Sequence, residues 1–412
     1  MTQPPAPSTT RRPGRMRAFP VLLGVGVAVV TANSPGLDHG NGTVAFPLGL
    51  FGGALLALQL QTLIGLALGR LGGTAPVLLM VGAGRRVAVR RPRGVPLLIR
   101  PIPLVPLLAW EAVTAVDGLR LRLFLGGLLR VAVPAGLGVG LMWSGTPLRC
   151  LGPGLILASL LLLSAARTPG TTGWMLLRAP FADAALLPQL AVGARELAAQ
   201  RALTGGRIAE ARAALERAPA ASHPTDSDPA VSVSADDAPA TLAQVRLRAA
   251  VDVASGRYAE AVEALRGAPE GRGLAPHVPG EELLLARAGL LAAEAGAMPR
   301  EDALAAAAIG TALAGERNPR LLAGSDILAT QALLGGRAAD AATLARSALR
   351  RMSDLLTRAY CLCTLAAAQA VTGDQPGARA SLEQARALAP ELARIATVER
   401  LITELPLVRD RV

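Results

Sequence analysis

Apolar residues are distributed unevenly along the chain, and this unevenness most constrains what the chain can fold into. Residues 44–69 contain no charged side chain. A helix of that length, at about 1.5 Å per residue, crosses the roughly 30 Å hydrocarbon core of a bilayer. Residues 121–143 form a second long apolar run, which is interrupted by Arg130. The first part of the chain is therefore predicted to be a membrane domain with several helical spans.

Two further apolar runs bring the predicted number of spans to about four. Residues 18–32 follow a basic stretch and end in small residues, so they form either an uncleaved membrane helix or a signal peptide. Residues 151–166 are short for a span, and helix tilt or a thinner bilayer would accommodate them. With four spans, the positive-inside rule puts both termini and the C-terminal domain on the cytoplasmic side of the cell membrane.

The charge of the chain supports the same interpretation. Only 17% of the residues are charged and the formal net charge is +12, against about 25% charged residues in a typical soluble domain. The arginines cluster beside apolar runs, where the positive-inside rule and anionic lipid explain them without nucleic acid as a partner. Residues 84–100 alternate arginine with Val and Leu, which favours short strands on the cytoplasmic face. The lack of lysine is typical of a high-GC bacterial genome.

From about residue 185 the sequence changes to an Ala/Leu/Arg/Glu pattern with a period near 3.6, which is typical of helices. A short motif interrupts this pattern as GRIAEA from Gly206, GRYAEA from Gly256, GRAADA from Gly336 and, more weakly, GDQPGA from Gly373. These units resemble tetratricopeptide repeats, in which a glycine ends the first helix of a hairpin and alanines let the second helix pack closely. The alternative is a helical bundle with glycine turns.

The predicted domain organisation follows from these patterns. Residues 1–17 are rich in Pro, Thr and Arg and are predicted to be a disordered basic tail. Residues 18–180 form the membrane domain, and residues 185–412 form a cytoplasmic helical-repeat domain. Within the latter, residues 219–239 are rich in Ser, Asp, Pro and Ala and are predicted to be a disordered insert. The predicted fold class is therefore mainly α, with a small strand-rich segment in the membrane domain.

The end of the apolar run at residues 44–69 contains a recognisable sequence pattern. Residues 60–71 read LQTLIGLALGRL and resemble the motif L-H-E-x-x-H-A-x-x-x-R of the site-2 proteases, which are intramembrane zinc metalloproteases. In that motif two histidines on one helix face bind zinc, and the glutamate between them is the general base. The resemblance puts Gln61 and Gly65 at the histidine positions and Thr62 at the glutamate position.

A second stretch is similar to the next motif of the same family. Residues 168–177 read TPGTTGWMLL and resemble N-x-x-P-x-P-x-x-D-G in the variant that continues as D-G-W-x-L-L. Thr172 stands at the position of the metal-binding aspartate. The resemblance covers about residues 40–180, and it implies a site-2-protease-like membrane domain in which all the metal-binding side chains have been replaced.

A catalytic zinc site needs three strong protein ligands around one open position. The Gln61 amide and the Thr172 hydroxyl are poor zinc ligands, and Gly65 offers no side chain. Glu111 and Asp117 lie near the basic segment, and we expect them to be solvated at the membrane interface. The sequence therefore predicts no catalytic residue, no metal and no cofactor, and the chain is expected to be a pseudoenzyme.

Three functions remain open from the sequence. In the first, a catalytically inactive site-2-protease-like protein acts as a membrane-anchored scaffold or regulator that binds a protein or peptide through its repeats. In the second, the chain is an active intramembrane metallopeptidase. In the third, the chain is a repeat adaptor with a generic membrane anchor. The predicted partners are a protein or peptide and the lipid bilayer.

Overall fold

The computed structural model describes most of the chain in separate segments. The described residues are 42–82, 88–101, 107–144, 146–166, 169–183, 186–217, 241–267, 281–317, 319–351 and 354–409. The predicted tail at residues 1–17, the apolar run at 18–32 and the predicted insert at 219–239 lie outside them.

Helices dominate the described residues, and four strands form one small sheet. The strands are β1 (Thr74–Val81), β2 (Ala88–Arg90), β3 (Leu97–Ile99) and β4 (Leu108–Val113). The helices are α1 (Gly42–Leu68), α2 (Leu119–Trp143), α3 (Gly152–Leu161), α4 (Thr172–Leu177), α5 (Leu186–Leu190), α6 (Ala194–Thr204), α7 (Ile208–Glu216), α8 (Leu242–Ala254), α9 (Tyr258–Arg266), α10 (Glu281–Glu294), α11 (Arg300–Arg317), α12 (Pro319–Ala323), α13 (Ile327–Leu334), α14 (Ala338–Arg351), α15 (Leu355–Thr372), α16 (Gln375–Leu388) and α17 (Arg394–Arg409). The prediction of a mainly α fold with a small sheet is confirmed.

Among the residues that the structure describes, three helices are long and apolar enough to cross a membrane. Two of them, within Phe46–Gly72 and Leu119–Trp143, match spans predicted from hydropathy. The third is Leu355–Thr372, and 78% of its apolar window is buried inside the structure. The predicted span at residues 151–166 contains the ten-residue helix α3 followed by the 3-10 turn Leu162–Ala165. The predicted count of four spans stays a prediction.

Contacts divide the described residues into two compact units. The first comprises residues 42–57 and 132–161, and the second comprises residues 58–131 and 162–409. The predicted domain boundary near residues 180–185 stays a prediction.

The first unit packs its helices through glycine. A Cβ atom on Gly53 would lie 2.0 Å from the carbonyl oxygen of Leu151, and one on Gly154 would lie 2.1 Å from the carbonyl oxygen of Leu50. No larger residue fits at either position. Such close backbone approach is how helices associate in lipid, where hydrophobic burial gives no drive for helix association.

The second unit contains the whole sheet, in the strand order β2-β3-β1-β4. Strand β1 pairs with β3 in parallel and with β4 in antiparallel. Leu78 and Leu98 are fully buried against Leu355, the first residue of α15. The Arg201 Nε donates a hydrogen bond of 2.9 Å to the carbonyl oxygen of Pro76. The sheet is therefore fastened to α6 and α15 by both apolar and polar contacts.

Five pairs of consecutive helices in the described part of the second unit are joined by tight glycine turns of one kind. Each glycine adopts a left-handed φ of 74° to 92°, which L-residues avoid because of their Cβ. The next residue donates its N–H to a carbonyl five positions earlier, at 2.8 to 2.9 Å, as in a Schellman motif. Such turns lie, among the described residues, at Gly206, Gly256, Gly296, Gly336 and Gly373.

Four of these turns match the motif copies found in the sequence, and the fifth was missed. Gly296 joins α10 to α11, but the residues that follow it read AMPRED and do not repeat the Gly-Arg string. In the four predicted copies the alanine five positions after the glycine is fully buried, at Ala211, Ala261, Ala341 and Ala378. The small side chain lets the two helices of each hairpin pack closely.

The Gly336 turn gives a matched pair of alanine substitutions. A Cβ at Gly336 has space, because the nearest atom is Arg300 Nη2 at 3.8 Å, so the cost of Gly336→Ala comes from the left-handed backbone. We expect its thermal midpoint to fall by about 2 to 4 °C. Gly315→Ala lies inside α11 and meets only Leu322 Cδ2 at 3.6 Å, so its midpoint should rise. Equal shifts in the two variants would contradict the assigned turn.

Tyr258 fills the variable position of the second motif copy and gives a pH test of the repeat core. Burial raises its pKa to about 12. In a Tyr360→Phe variant it is the sole tyrosine, since the chain has two. We expect tyrosinate absorbance to appear near pH 12 in the folded protein. Stability should be retained below pH 10 and fall as the pH rises toward 12, because the unfolded state releases the phenolic proton first. A midpoint near pH 10 with intact helical circular dichroism would refute this.

Candidate functional site

The structure brings together two of the positions that the family resemblance singles out. Gln61 on α1 and Thr172 on α4 are 111 residues apart, and the Gln61 Nε2 donates to the Thr172 Oγ1 at 2.5 Å. The hydroxyl of Thr62 donates to the Leu58 carbonyl of its own helix at 3.0 Å. The polar atoms at these positions are thus engaged with one another or with backbone.

The remaining position, Gly65, lies one helical turn beyond Gln61 on the same face of α1. A Cβ atom on Gly65 would lie 2.6 Å from the Arg130 Nη2 and 2.7 Å from the Glu111 Oε1. Real Cβ atoms essentially never make contacts that short. The ends of the Arg130 and Glu111 side chains therefore fill the space beside α1, and a larger residue at position 65 would force them to shift.

Arg130 and Glu111 form a buried ion pair. The Arg130 Nη2 lies 2.6 Å from the Glu111 Oε2, and the two side chains are 5% and 7% exposed. The fully buried Thr74 hydroxyl donates to the Glu111 Oε2 at 2.6 Å and accepts from the Arg130 Nη2 at 3.0 Å. Three elements, α2, β4 and β1, thus each supply one side chain to one cluster.

This cluster corrects the expectation for Glu111. The sequence predicted a solvated carboxylate at the membrane interface, whereas the pairing of β4 with β1 turns Glu111 inward to a buried cation. Asp117 is exposed, as expected. A signal for the pair was present in the sequence, because an arginine within an apolar run needs a counter-charge. Glu111 and Asp117 are the only acidic residues between positions 42 and 182.

The residues present do not fit a zinc ion. Gln61 and Thr172 offer neutral oxygens that bind zinc weakly, and Gly65 offers no ligand. The neighbouring carboxylate, Glu111, is already bound to the Arg130 guanidinium, whose positive charge opposes a second cation. Across the part of the chain that the structure describes, no three His, Cys, Asp or Glu side chains lie close enough to hold a metal ion. No metal-dependent step follows from this arrangement.

A cavity of about 490 Å³ lies beside this cluster and is a second candidate site. Its walls come from β4, including Trp110 and Glu111, and from helices α5, α6, α8, α10, α12, α13 and α15. The lining is largely apolar, with Glu111, Arg246, Arg287 and Asp354 as charged members. Its volume falls in the range of roughly 300 to 1,000 Å³ that is typical of ligand pockets. The sequence did not predict this cavity, because its walls come from segments far apart in the chain.

A buried charge network supports one wall of the cavity. The Arg287 guanidinium bonds to the Asp326 Oδ1 through Nε at 3.0 Å and Nη2 at 2.6 Å, and its Cζ lies 4.8 Å from the centre of the Tyr360 ring. Burial alone would lower the pKa of Arg287, but the nearby Asp326 carboxylate outweighs burial and raises the pKa. Arg287 therefore stays cationic.

Arg394 completes this network from α17. Its side chain is 1% exposed and donates to both Glu294 oxygens, from Nε at 2.7 Å and from Nη2 at 3.1 Å. Its Nη1 donates to the Asp326 Oδ2 at 3.2 Å. Burial opposes its charge, yet Glu294 and Asp326 together raise its pKa. The network contains two cations and two anions, so its formal charge is zero. It ties α10, α13 and α17 together.

No protein-family model matches the chain, and no curated protein or solved structure shows significant similarity to it. The resemblance to site-2 proteases therefore stays a prediction that depends on the residues themselves.

Removing the guanidinium of Arg394 leaves the Glu294 carboxylate without its counter-charge and takes one of two cations from Asp326, which keeps Arg287. We expect Arg394→Met to lower the free energy of unfolding by about 3 to 5 kcal/mol. Arg386→Met is the matched control, because Arg386 lies at the surface and pairs with Glu399 at 3.0 Å. The control should change stability little. Chemical denaturation followed by circular dichroism measures both, and similar effects in the two variants would contradict the role of the network.

Proposed function

We propose that the chain is a catalytically inactive, site-2-protease-like membrane protein that acts as a membrane-anchored scaffold or regulator. The main support is the chemistry at the four positions where the family that the chain resembles has its zinc ligands and general base. Gln61 and Thr172 bond to each other, Thr62 bonds to its own helix, and Gly65 is overlain by the Arg130 side chain. None of these groups can activate a water molecule as a zinc site does.

Membrane anchoring is supported by the side chains of the two long apolar helices. Large apolar residues of α1 and α2 are exposed in the protein alone, among them Leu48, Phe51, Leu125 and Val139 at 46% to 65%. Exposing such apolar surfaces to water is unfavourable, whereas contact with lipid is not. We propose that both termini and the repeat domain are cytoplasmic, because the arginines cluster beside the spans.

Binding of a protein or peptide is supported by the helical hairpins and their cavity. The hairpins resemble tetratricopeptide repeats, and stacked hairpins present extended surfaces to partners. The cavity offers apolar walls for a partner's side chains together with Arg246 and Asp354 for its polar groups. Nucleic acid is not a proposed partner, because the arginines have a sufficient role at the membrane.

Two alternatives make different predictions for the purified protein. An active metallopeptidase would carry one bound zinc per chain and would cleave a membrane peptide. A repeat adaptor with a generic anchor would share the partner binding, but its membrane helices could be exchanged for an unrelated anchor without loss of function. The proposed function predicts neither bound zinc nor cleavage, and it predicts that function is lost on that exchange.

Photocrosslinking tests partner binding at the cavity. We expect p-benzoylphenylalanine in place of Thr204 or of Thr357, which both line the cavity, to crosslink the same protein in intact cells of the host. The matched control is the same amino acid in place of Leu344 on α14, which is 37% exposed and does not line the cavity. Equal crosslinking from all three positions, or none from the cavity positions, would contradict the proposed binding site.

A further inference from the structure

Four elements meet at the Arg130–Glu111 pair. The guanidinium comes from α2, the carboxylate from β4, the bridging hydroxyl of Thr74 from β1, and the space for them from Gly65 on α1. Each charged group would be unstable in this setting alone, because burial takes it out of water. The pair is therefore stable only as a unit.

The guanidinium lies where a side chain at position 65 would project. Gly65 stands at the position of the second metal-binding histidine in the family that the chain resembles, and any Cβ there would collide with Arg130 and Glu111. A histidine at position 65 would thus displace the Arg130 guanidinium and the Glu111 carboxylate from the positions in which they pair. The histidine and the ion pair compete for the same space.

We propose that the Arg130–Glu111 ion pair replaces the metal centre. The Arg130 guanidinium occupies the Glu111 carboxylate and opposes a divalent cation beside it. The hydrogen bonds of the pair cross-link the helix α2 to strands β1 and β4, as metal coordination would otherwise join elements of a site. The idea that the pair replaces a metal rests on the proposed function. The steric coupling between Gly65 and the ion pair does not depend on the proposed function.

The cross-link also fixes one wall of the cavity. Glu111 is the residue of β4 that binds Arg130, and Trp110, Glu111 and Ala112 line the cavity. The register of β4 is held by β1, which pairs Ala112 with Ala75 and Trp110 with Leu78. The ion pair thus fixes the position of β4, the strand that lines the cavity and also bonds to Arg130 of α2.

A double-mutant cycle tests the steric part of the inference. We expect Gly65→Ala to lower the thermal midpoint of the detergent-solubilised protein by at least about 5 °C, although alanine normally favours a helix over glycine. In an Arg130→Ala/Glu111→Ala background, Gly65→Ala should leave the midpoint unchanged or raise it. Gly136→Ala on α2 is the control, because a Cβ there meets nothing within 4 Å. Additive effects in the cycle would overturn the inference.

Zinc content tests the exclusion of the metal. The variant Gln61→His/Gly65→His/Thr172→Asp is purified with zinc in the Arg130→Ala/Glu111→Ala background and with the pair intact. We expect close to one zinc per folded chain only when the pair is absent. If the pair-intact variant does not fold while the variant that lacks the pair folds and binds zinc, that difference itself supports the inference, because only the protein without the pair accepts histidine at position 65.

The outcomes separate the two proposals. Zinc bound beside an intact pair, or no zinc in the folded variant that lacks the pair, would overturn the inference and leave the proposed function standing. Stoichiometric zinc in the unaltered protein, together with cleavage of a membrane peptide, would overturn the proposed function. Circular dichroism and size-exclusion chromatography establish folding for every variant.

Discussion

A buried charge needs a partner of opposite sign, and this requirement shapes both candidate sites of the second unit, the Arg130 cluster and the cavity wall. Arg130 lies within an apolar helix and is 4% exposed, so its side chain must meet Glu111. Arg394 is 1% exposed and meets Glu294 and Asp326 in the same way. In each case one guanidinium bonds groups on separate elements, because its planar fork of donors can reach several oxygens at once.

Close approach of backbones is the complementary requirement, and small residues meet it in both units. Gly53 and Gly154 let two apolar helices touch in the first unit, and Gly65 makes room for the ion pair in the second. Buried alanines, such as Ala261 and Ala341, let the helices of the hairpins approach each other closely. A chain this rich in Gly and Ala therefore packs by close approach of its helix backbones, because it has few aromatic side chains to fill wider gaps.

Local patterns in the sequence predicted the local structure well. Long apolar runs predicted α1 and most of α2. The Gly-Arg string and its weaker fourth copy predicted four hairpin turns, because the left-handed glycine and the buried alanine are both set by neighbours in sequence. The turn at Gly296 was missed because its geometry needs only the glycine, so the flanking residues were free to differ. The buried helix α15 shows the converse, because hydropathy alone cannot distinguish a membrane span from a helix that is buried among other helices.

The site was harder to predict, because its chemistry depends on long-range pairing. Resemblance named Gln61, Gly65 and Thr172, and the contact between Gln61 and Thr172 agrees with their being neighbours. Nothing local indicated that β4 would turn Glu111 inward, since only the register with β1 decides which face of the strand is buried. Once that register is fixed, the glycine at position 65 and the arginine at position 130 have one physical explanation. The Arg130 guanidinium and the Glu111 carboxylate bond to each other and fill the space beside Gly65, and the residues around them offer no set of ligands for a metal ion.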